Sequence, residues 1–269
     1  MAMWSGQSTL THHHYFVGPA TNPDVNIPNL LKAGTMARVQ KTADTATAAA
    51  NRMGVRVRMT EGNTCYRGGK PGVSDVAAAL WSADYSLLLA SNNYSGVNLH
   101  GGTGKSVANS VGGILPGDVM LKDAGATPEQ VASHPHPFYT PIALFGDQYT
   151  LEPVAYGLKF AGALSGSKLV KADLTSQIQA IGVDGTAYAA KLPSRAMTVV
   201  ILNKDAARDL DLTLDFGAGK GGTVETETLQ APEMEAREAR IAREPSGALK
   251  QGRFTVKVPH SSGVRLTVR

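Results

Sequence analysis

Residues 55–102 read VRVRMTEGNTCYRGGKPGVSDVAAALWSADYSLLLASNNYSGVNLHGG, and their pattern decides the fold. Val55 to Thr60 alternates apolar and basic residues and leads directly into Glu61. That alternation is the period of a strand with one buried face. Gly68-Gly69 and Gly72 then interrupt regular structure. Ser74 is placed to cap a helix, with Asp75 in its first turn. Val76, Leu80, Ala83 and Leu87 give that helix an apolar face at helical spacing. Ser95 to His100 returns to strand character and stops at Gly101-Gly102. Strand, loop, helix and strand in this order is the repeating unit of an α/β fold with a parallel sheet.

Upstream, Ser8 to Val17 is rich in β-formers and aromatics and ends at Gly18-Pro19, so a strand entering a loop is expected. Pro28 to Met53 is Ala-rich and predicts one or two helices, broken near Gly34. Downstream, 103–137 is rich in glycine with prolines and predicts a long loop or insertion. Glu152-Pro153 opens a further helix with Val154, Leu158 and Ala161 on its apolar face. From about Ser165 the pattern changes to short β-rich runs: Ile178 to Val183, Ala187 to Leu192, Met197 to Leu202, Leu210 to Leu214, Thr223 to Leu229, Phe254 to Val258 and Val264 to Val268. Asp184-Gly185 is a hairpin signal. Strands at this spacing predict a β-sandwich. The expected organisation is 1–164 as part of a (β/α) barrel and 165–269 as a C-terminal sandwich domain. An eight-fold barrel typically takes about 250 residues, so the first part is expected to be a portion of a TIM barrel rather than a whole one.

The 269 residues are 42% hydrophobic and 18% charged, the balance of a globular chain. Net charge is +4, but lysines and arginines are scattered and no run suggests a nucleic-acid partner. Cys65 is the one cysteine, which excludes an intramolecular disulfide and a thiolate metal site. No stretch of about 20 apolar residues predicts a membrane span. Met1 to Thr11 holds no apolar core of signal-peptide length, and the compartment stays open.

Several motifs compete for a function. The run 101–106, GGTGKS, misses the phosphate-loop pattern because Leu99 stands where glycine is required. His12, His13 and His14 are consecutive, and neighbouring strand residues point to opposite faces, so the three cannot converge on a metal. No metal or other cofactor is expected. The charged run 233–244, EMEAREARIARE, suits a solvated strand or loop face better than a helix. Glu61 stands apart. Strand ends on the C-terminal face of a (β/α) barrel hold catalytic groups, and a carboxylate there can attack an anomeric carbon. A surface or capping glutamate is the competing reading.

The stretch 56–102 resembles the nucleophile region of glycoside hydrolase family 79, the retaining β-glucuronidases and their heparanase relatives. It combines a strand ending in Glu61, Tyr66, the Gly68-Gly69 turn, the helix start Gly72-Val73-Ser74-Asp75, and the run Gly96 to Gly102. Ser8 to Gly18 resembles that family's preceding strand, and 138–142, FYTPI, the segment before its last barrel helix. The resemblance implies a β-glucuronide or glucuronate-containing glycan as substrate and Glu61 as nucleophile. It implies that Tyr66, Gly68, Gly69 and Tyr139 face the substrate carboxylate, that Tyr15 holds Glu61, and that His14 or His100 lines the pocket. For Tyr15 and Tyr139 an ordinary core or rim position is the alternative. Cys65 and Arg67 depart from the family's usual loop. The family's acid/base glutamate lies in Asn-Glu-Pro, which these residues do not contain; Glu152 before Pro153 fits a helix start instead. The resemblance therefore implies an N-terminally truncated homologue, the C-terminal portion of a (β/α)8 TIM barrel followed by a β-sandwich domain. Two alternatives remain: a non-catalytic carbohydrate-binding or interaction fragment, and one half of a split enzyme completed by a separate N-terminal barrel half.

Overall fold

The alternation in β1 (Thr9–Tyr15) and β2 (Arg56–Asn63) sends one set of side chains to a helical layer and the other to the open face of a parallel sheet. A computed structural model of the protein describes residues 8–19, 22–66, 70, 72–101, 140–145, 148–170, 172–236 and 238–269. In it β1, β2 and β3 (Val97–Leu99) form a three-stranded parallel sheet in that order. The expected loop over 103–137 lies outside the described residues.

Two helices connect β1 to β2. Helix α1 (Ile27–Leu31) starts where the Asn26 side chain accepts from the Asn29 N–H, and Pro28 needs no donor partner there. Extended backbone at Lys32 separates it from α2 (Ala33–Met53). That break comes two residues before Gly34. Gly54, at φ 65°, closes α2 in the left-handed conformation that glycine adopts without strain.

Helix α3 (Val76–Ser91) is buried nearly all round, not on one face as its spacing suggests. It lies between the parallel sheet and two further elements, so almost every position meets a neighbour. Trp81 stacks on Tyr85, and Phe16 sits edge-on to both. Helix α4 (Pro153–Gly162) crosses α3 at Gly157, where an added Cβ would stand 2.0 Å from the Ala79 carbonyl oxygen. Only glycine permits that approach. Ser82 fixes the crossing by donating to the Val154 carbonyl at 2.9 Å. A hairpin the sequence pattern did not suggest, β4 (Ile142–Phe145) and β5 (Gln148–Leu151), precedes α4.

The C-terminal part holds a six-stranded antiparallel sheet ordered β11-β10-β13-β8-β7-β6 and a two-stranded ribbon, β12-β9. Its strands are β6 (Lys168–Val170), β7 (Gly185–Lys191), β8 (Met197–Asn203), β9 (Leu210–Asp215), β10 (Thr223–Gln230), β11 (Arg240–Ala248), β12 (Arg253–Val258) and β13 (Ser262–Val268). In β8, Val200 and Leu202 join the core shared with α3 and α4, while Val199 and Ile201 join a second core under β9 and β12. Burial on both faces explains why this strand is apolar without alternation.

Two expectations fail here. Ile178 to Val183 is not a strand: α5 (Leu174–Ala180) takes its first three residues, with Ile178 buried beneath Gly185. Leu174 and Ile178, four apart, share a helical face. Asp184-Gly185 does not turn a hairpin either. It opens β7, and the Asp184 carboxylate accepts from the Ala33 N–H at 2.9 Å.

A buried polar cluster fastens the sheet to α3. Lys204 Nζ lies 2.6 Å from Asp84 Oδ2, with both side chains almost wholly inaccessible. The Thr186 and Tyr188 hydroxyls donate to Asp84 Oδ1 at 2.8 and 2.6 Å. The loop between β10 and β11 reaches the other end of the helix. The Val76 and Ala77 N–H groups donate to the Ala236 and Met234 carbonyls at 2.9 and 3.1 Å. Ser74 therefore does not cap α3. Its hydroxyl accepts from the Lys70 N–H, and Asp75 accepts from the Gly72 N–H.

Candidate active site

Glu61 lies within β2, not just beyond it, because the strand continues through Gly62 to Asn63. A bulge between His12 and His13 sets the register so that His13 pairs with Glu61 and Tyr15 with Asn63. Residues two apart on a strand share a face, so His13 and Tyr15 both stand beside the Glu61 carboxylate. The Tyr15 hydroxyl donates to Glu61 Oε1 at 2.6 Å. His13 Nδ1 lies 3.5 Å from Glu61 Oε2. The Glu61 side chain keeps 35% of its accessibility, open enough to meet a ligand.

The bond from Tyr15 holds the Glu61 carboxyl below the usual carboxylate range. Partial desolvation acts in the opposite direction, and the nearby His13 and His100 add to the lowering. The group is therefore an anion near neutral pH, with one oxygen held by a phenol and the other beside an imidazole. Such a carboxylate is suited to nucleophilic attack and unsuited to donating a proton.

The neighbouring residues fix this arrangement. Gly62 places its hydrogen where a Cβ would stand 2.6 Å from the His14 carbonyl oxygen, so β1 and β2 close tightly beside Glu61. Buried Asn63 donates from Nδ2 to the His100 carbonyl at 2.9 Å, and the His100 N–H donates to the Gly62 carbonyl at 3.0 Å. Those bonds tie the end of β3 to the end of β2. Tyr66 packs edge-on to Tyr15 with ring centroids 5.7 Å apart and remains 39% exposed.

The structure thus brings Glu61, Tyr15, Tyr66 and His100 to one end of the parallel sheet. Gly68, Gly69 and Tyr139, and also Arg67, lie outside the described residues. His14 is on the opposite face, edge-on to Phe16, and does not line the site. His12 also points away, with Nε2 2.7 Å from the Tyr94 hydroxyl. Burial lowers the pKa of both. In the sequence His13 stands out only as one of three consecutive histidines. Its place beside Glu61 follows from that of Tyr15 by the two-residue period of a strand. Cys65 is buried, and burial pushes its thiol up to about 11. Glu152 stands before the first residue of α4, as its sequence position implied.

The fold matches solved structures over almost its whole length. A 4-O-α-L-rhamnosyl-β-D-glucuronidase from Fusarium oxysporum 12S superposes with a TM-score of 0.70 at 19% identity, covering 96% of this chain and 52% of that one. The chain shares its fold with glycoside hydrolases. An α-L-arabinofuranosidase from Thermotoga maritima gives a TM-score of 0.64 at 13% identity, over 97% of this chain and 52% of that one. A family 44 xyloglucanase from Paenibacillus polymyxa gives 0.55 at 12% identity, over 97% and 46%. Among curated proteins, a β-glucuronidase from Aspergillus niger is 30% identical over 105 residues, which take in 35% of this chain and 18% of that protein. No family model matches the chain. The chain spans about half the length of the solved structures it matches. These likenesses are of fold, to glycoside hydrolases with TIM-barrel-containing folds.

Proposed function

We propose that the chain is the C-terminal portion of a retaining β-glucuronidase of the family 79 type: part of an eight-fold barrel at 1–164, then a β-sandwich domain at 165–269. The observation that carries the reading is the 2.6 Å bond from Tyr15 to Glu61, at the end of a parallel strand. A nucleophile needs to be ionised and held in place, and that bond does both. The Aspergillus niger likeness, and the glucuronate-containing ligand of the Fusarium structure, support a glucuronide as substrate.

Glu61 attacks the anomeric carbon, and the glycosidic C–O bond breaks as the glycosyl–carboxylate bond forms. A carboxylic acid outside this chain protonates the leaving oxygen. Its conjugate base then takes a proton from water, which attacks the same carbon and frees Glu61. Tyr66 and the Gly68–Gly69 turn pair with the substrate carboxylate, where main-chain N–H groups bind an anion without a buried cation. Tyr139 and His100 complete the pocket. No cofactor takes part.

The test is turnover of 2,4-dinitrophenyl β-glucuronide, whose leaving group needs no protonation, by the chain and by Glu61→Ala. The matching β-glucoside is run beside it. Release from the glucuronide by the wild type alone is expected. Equal release by Glu61→Ala sinks the nucleophile, and equal rates on the two sugars sink the selectivity. The absent Asn-Glu-Pro favours a second reading, a non-catalytic carbohydrate-binding fragment. That reading predicts binding of glucuronate without any release.

A further inference from the structure

Ser74 stands at the start of α3, where a serine ordinarily caps, and it is almost wholly buried. The carbonyls of Met234 and Ala236 take the Ala77 and Val76 N–H groups, so its hydroxyl is left for other partners. That hydroxyl accepts from the Lys70 N–H at 2.8 Å, and the Ser74 N–H donates back to the Lys70 carbonyl at 2.8 Å. The same hydroxyl bonds to the sulfur of buried Cys65, which also meets the Thr64 hydroxyl at 3.7 Å. A hydroxyl has one proton to give and lone pairs to accept with, so both bonds of Ser74 form together. One buried oxygen therefore ties Cys65 to Lys70, on either side of Tyr66 and the residues that follow it. Each side has a further anchor. The Tyr66 N–H donates to the Gly18 carbonyl at 2.9 Å, and the Lys70 ammonium lies 3.1 Å from the Asn22 carbonyl. The Tyr66 ring stays exposed, edge-on to the Tyr15 that holds Glu61.

We propose that Ser74 is a positioning residue for the substrate carboxylate: through Cys65 and Lys70 it holds the main chain that presents Tyr66. This deepens the glucuronide reading and rests on it. Ser74 is buried beneath the segment and touches no substrate. It acts by preorganisation, because a Tyr66 already held in place loses less freedom when the ligand arrives. Its effect therefore falls on binding of the sugar acid and leaves the ionisation of Glu61, which Tyr15 controls, as it is.

Sodium D-glucuronate is titrated into the full chain and into Ser74→Ala, Ser74→Thr and Cys65→Ala, with D-glucose as the control sugar. Kd is read from the ring signals of labelled tyrosine, well below Tm. The wild type is expected to bind glucuronate in preference to glucose. Ser74→Ala should raise the glucuronate Kd about tenfold, the scale of one or two lost hydrogen bonds. Cys65→Ala, which removes one of the two partners, should raise it less. Ser74→Thr keeps the hydroxyl and should recover most of the affinity. The Glu61 titration should not move in Ser74→Ala. A serine that serves the fold alone lowers Tm and leaves Kd in place, and that result overturns the proposal. If Ser74→Ala does not fold, Cys65→Ala carries the same test, and an unchanged Kd there overturns it. A wild type that binds neither sugar, or both alike, sinks the glucuronide reading and the role of Ser74 with it. Wild-type selectivity with indifferent variants sinks the role of Ser74 alone.

Discussion

Replacing Asp84 with alanine removes the one anion of a cluster sealed between α3 and the six-stranded sheet. Lys204 Nζ, 2.6 Å from it, is left as a buried cation without a counter-charge. The Thr186 hydroxyl loses its acceptor at the same time, and Tyr188 keeps only its 3.3 Å bond to the Asp84 main-chain carbonyl. Breaking a buried pair from one side costs about 3–5 kcal/mol. Against a total stability of about 5–15 kcal/mol, that is a large fraction. Equilibrium unfolding in urea, followed by circular dichroism, should show the midpoint falling at an unchanged slope. Asp84→Leu with Lys204→Met should recover part of the loss, because no lone charge remains. The Thr186 hydroxyl still lacks that acceptor, at about 1–3 kcal/mol, and Tyr188 is left with the longer main-chain bond. Adding Thr186→Val and Tyr188→Phe should restore more. A loss below about 1 kcal/mol for Asp84→Ala would show that Lys204 finds water or another anion, and the clasp argument would fail.

Three further outcomes follow from the geometry. Tyr15→Phe removes the bond that lowers the Glu61 pKa, so the Glu61 titration should move upward in a carbon-13 spectrum; an unmoved titration would deny Tyr15 that role. Because the folded value is depressed, this group stabilises the fold above its unfolded pKa and loses that contribution as pH falls through the folded one. The variant should therefore show a weaker dependence of stability on acidification. Gly157→Ala should destabilise the α3–α4 crossing by about 1–3 kcal/mol or more, seen as a lower Tm; an unchanged Tm would mean that the helices separate freely. Cys65, buried and with its thiol near 11, should resist an aromatic disulfide reagent at pH 8 until the chain unfolds, and rapid labelling of the native protein would contradict its placement.

The parts of this fold that are legible in the sequence are those whose partners are local or regular. Alternation in Val55 to Thr60 marks β2, and Gly54 marks the end of α2. Strand β8 is recognisable by its apolar run, but the run alone cannot say that its two faces serve two cores. Ser74 has the chemistry of a cap, yet the N–H groups of α3 are taken by carbonyls more than 150 residues away, at Met234 and Ala236. Ile178 to Val183 has β-forming residues, and packing of Ile178 beneath Gly185 turns its start into a helix. Around Glu61, the family resemblance singles out Tyr15 as its neighbour, while His13 is hidden among three histidines until the register is known. Asp84 gives no sign in the sequence of being buried, since its counter-ion is 120 residues distant.

The most direct test of the central claim is covalent trapping. The chain is incubated with 2,4-dinitrophenyl 2-deoxy-2-fluoro-β-glucuronide, quenched in acid and digested for mass spectrometry. Attack by Glu61 on this substrate needs no acid. The fluorine and the absent base both slow release, so the glycosyl-enzyme should accumulate. The account predicts one glycosyl adduct, mapped to Glu61 and missing from Glu61→Ala. An adduct on another residue, or none while the fold is intact, would contradict it.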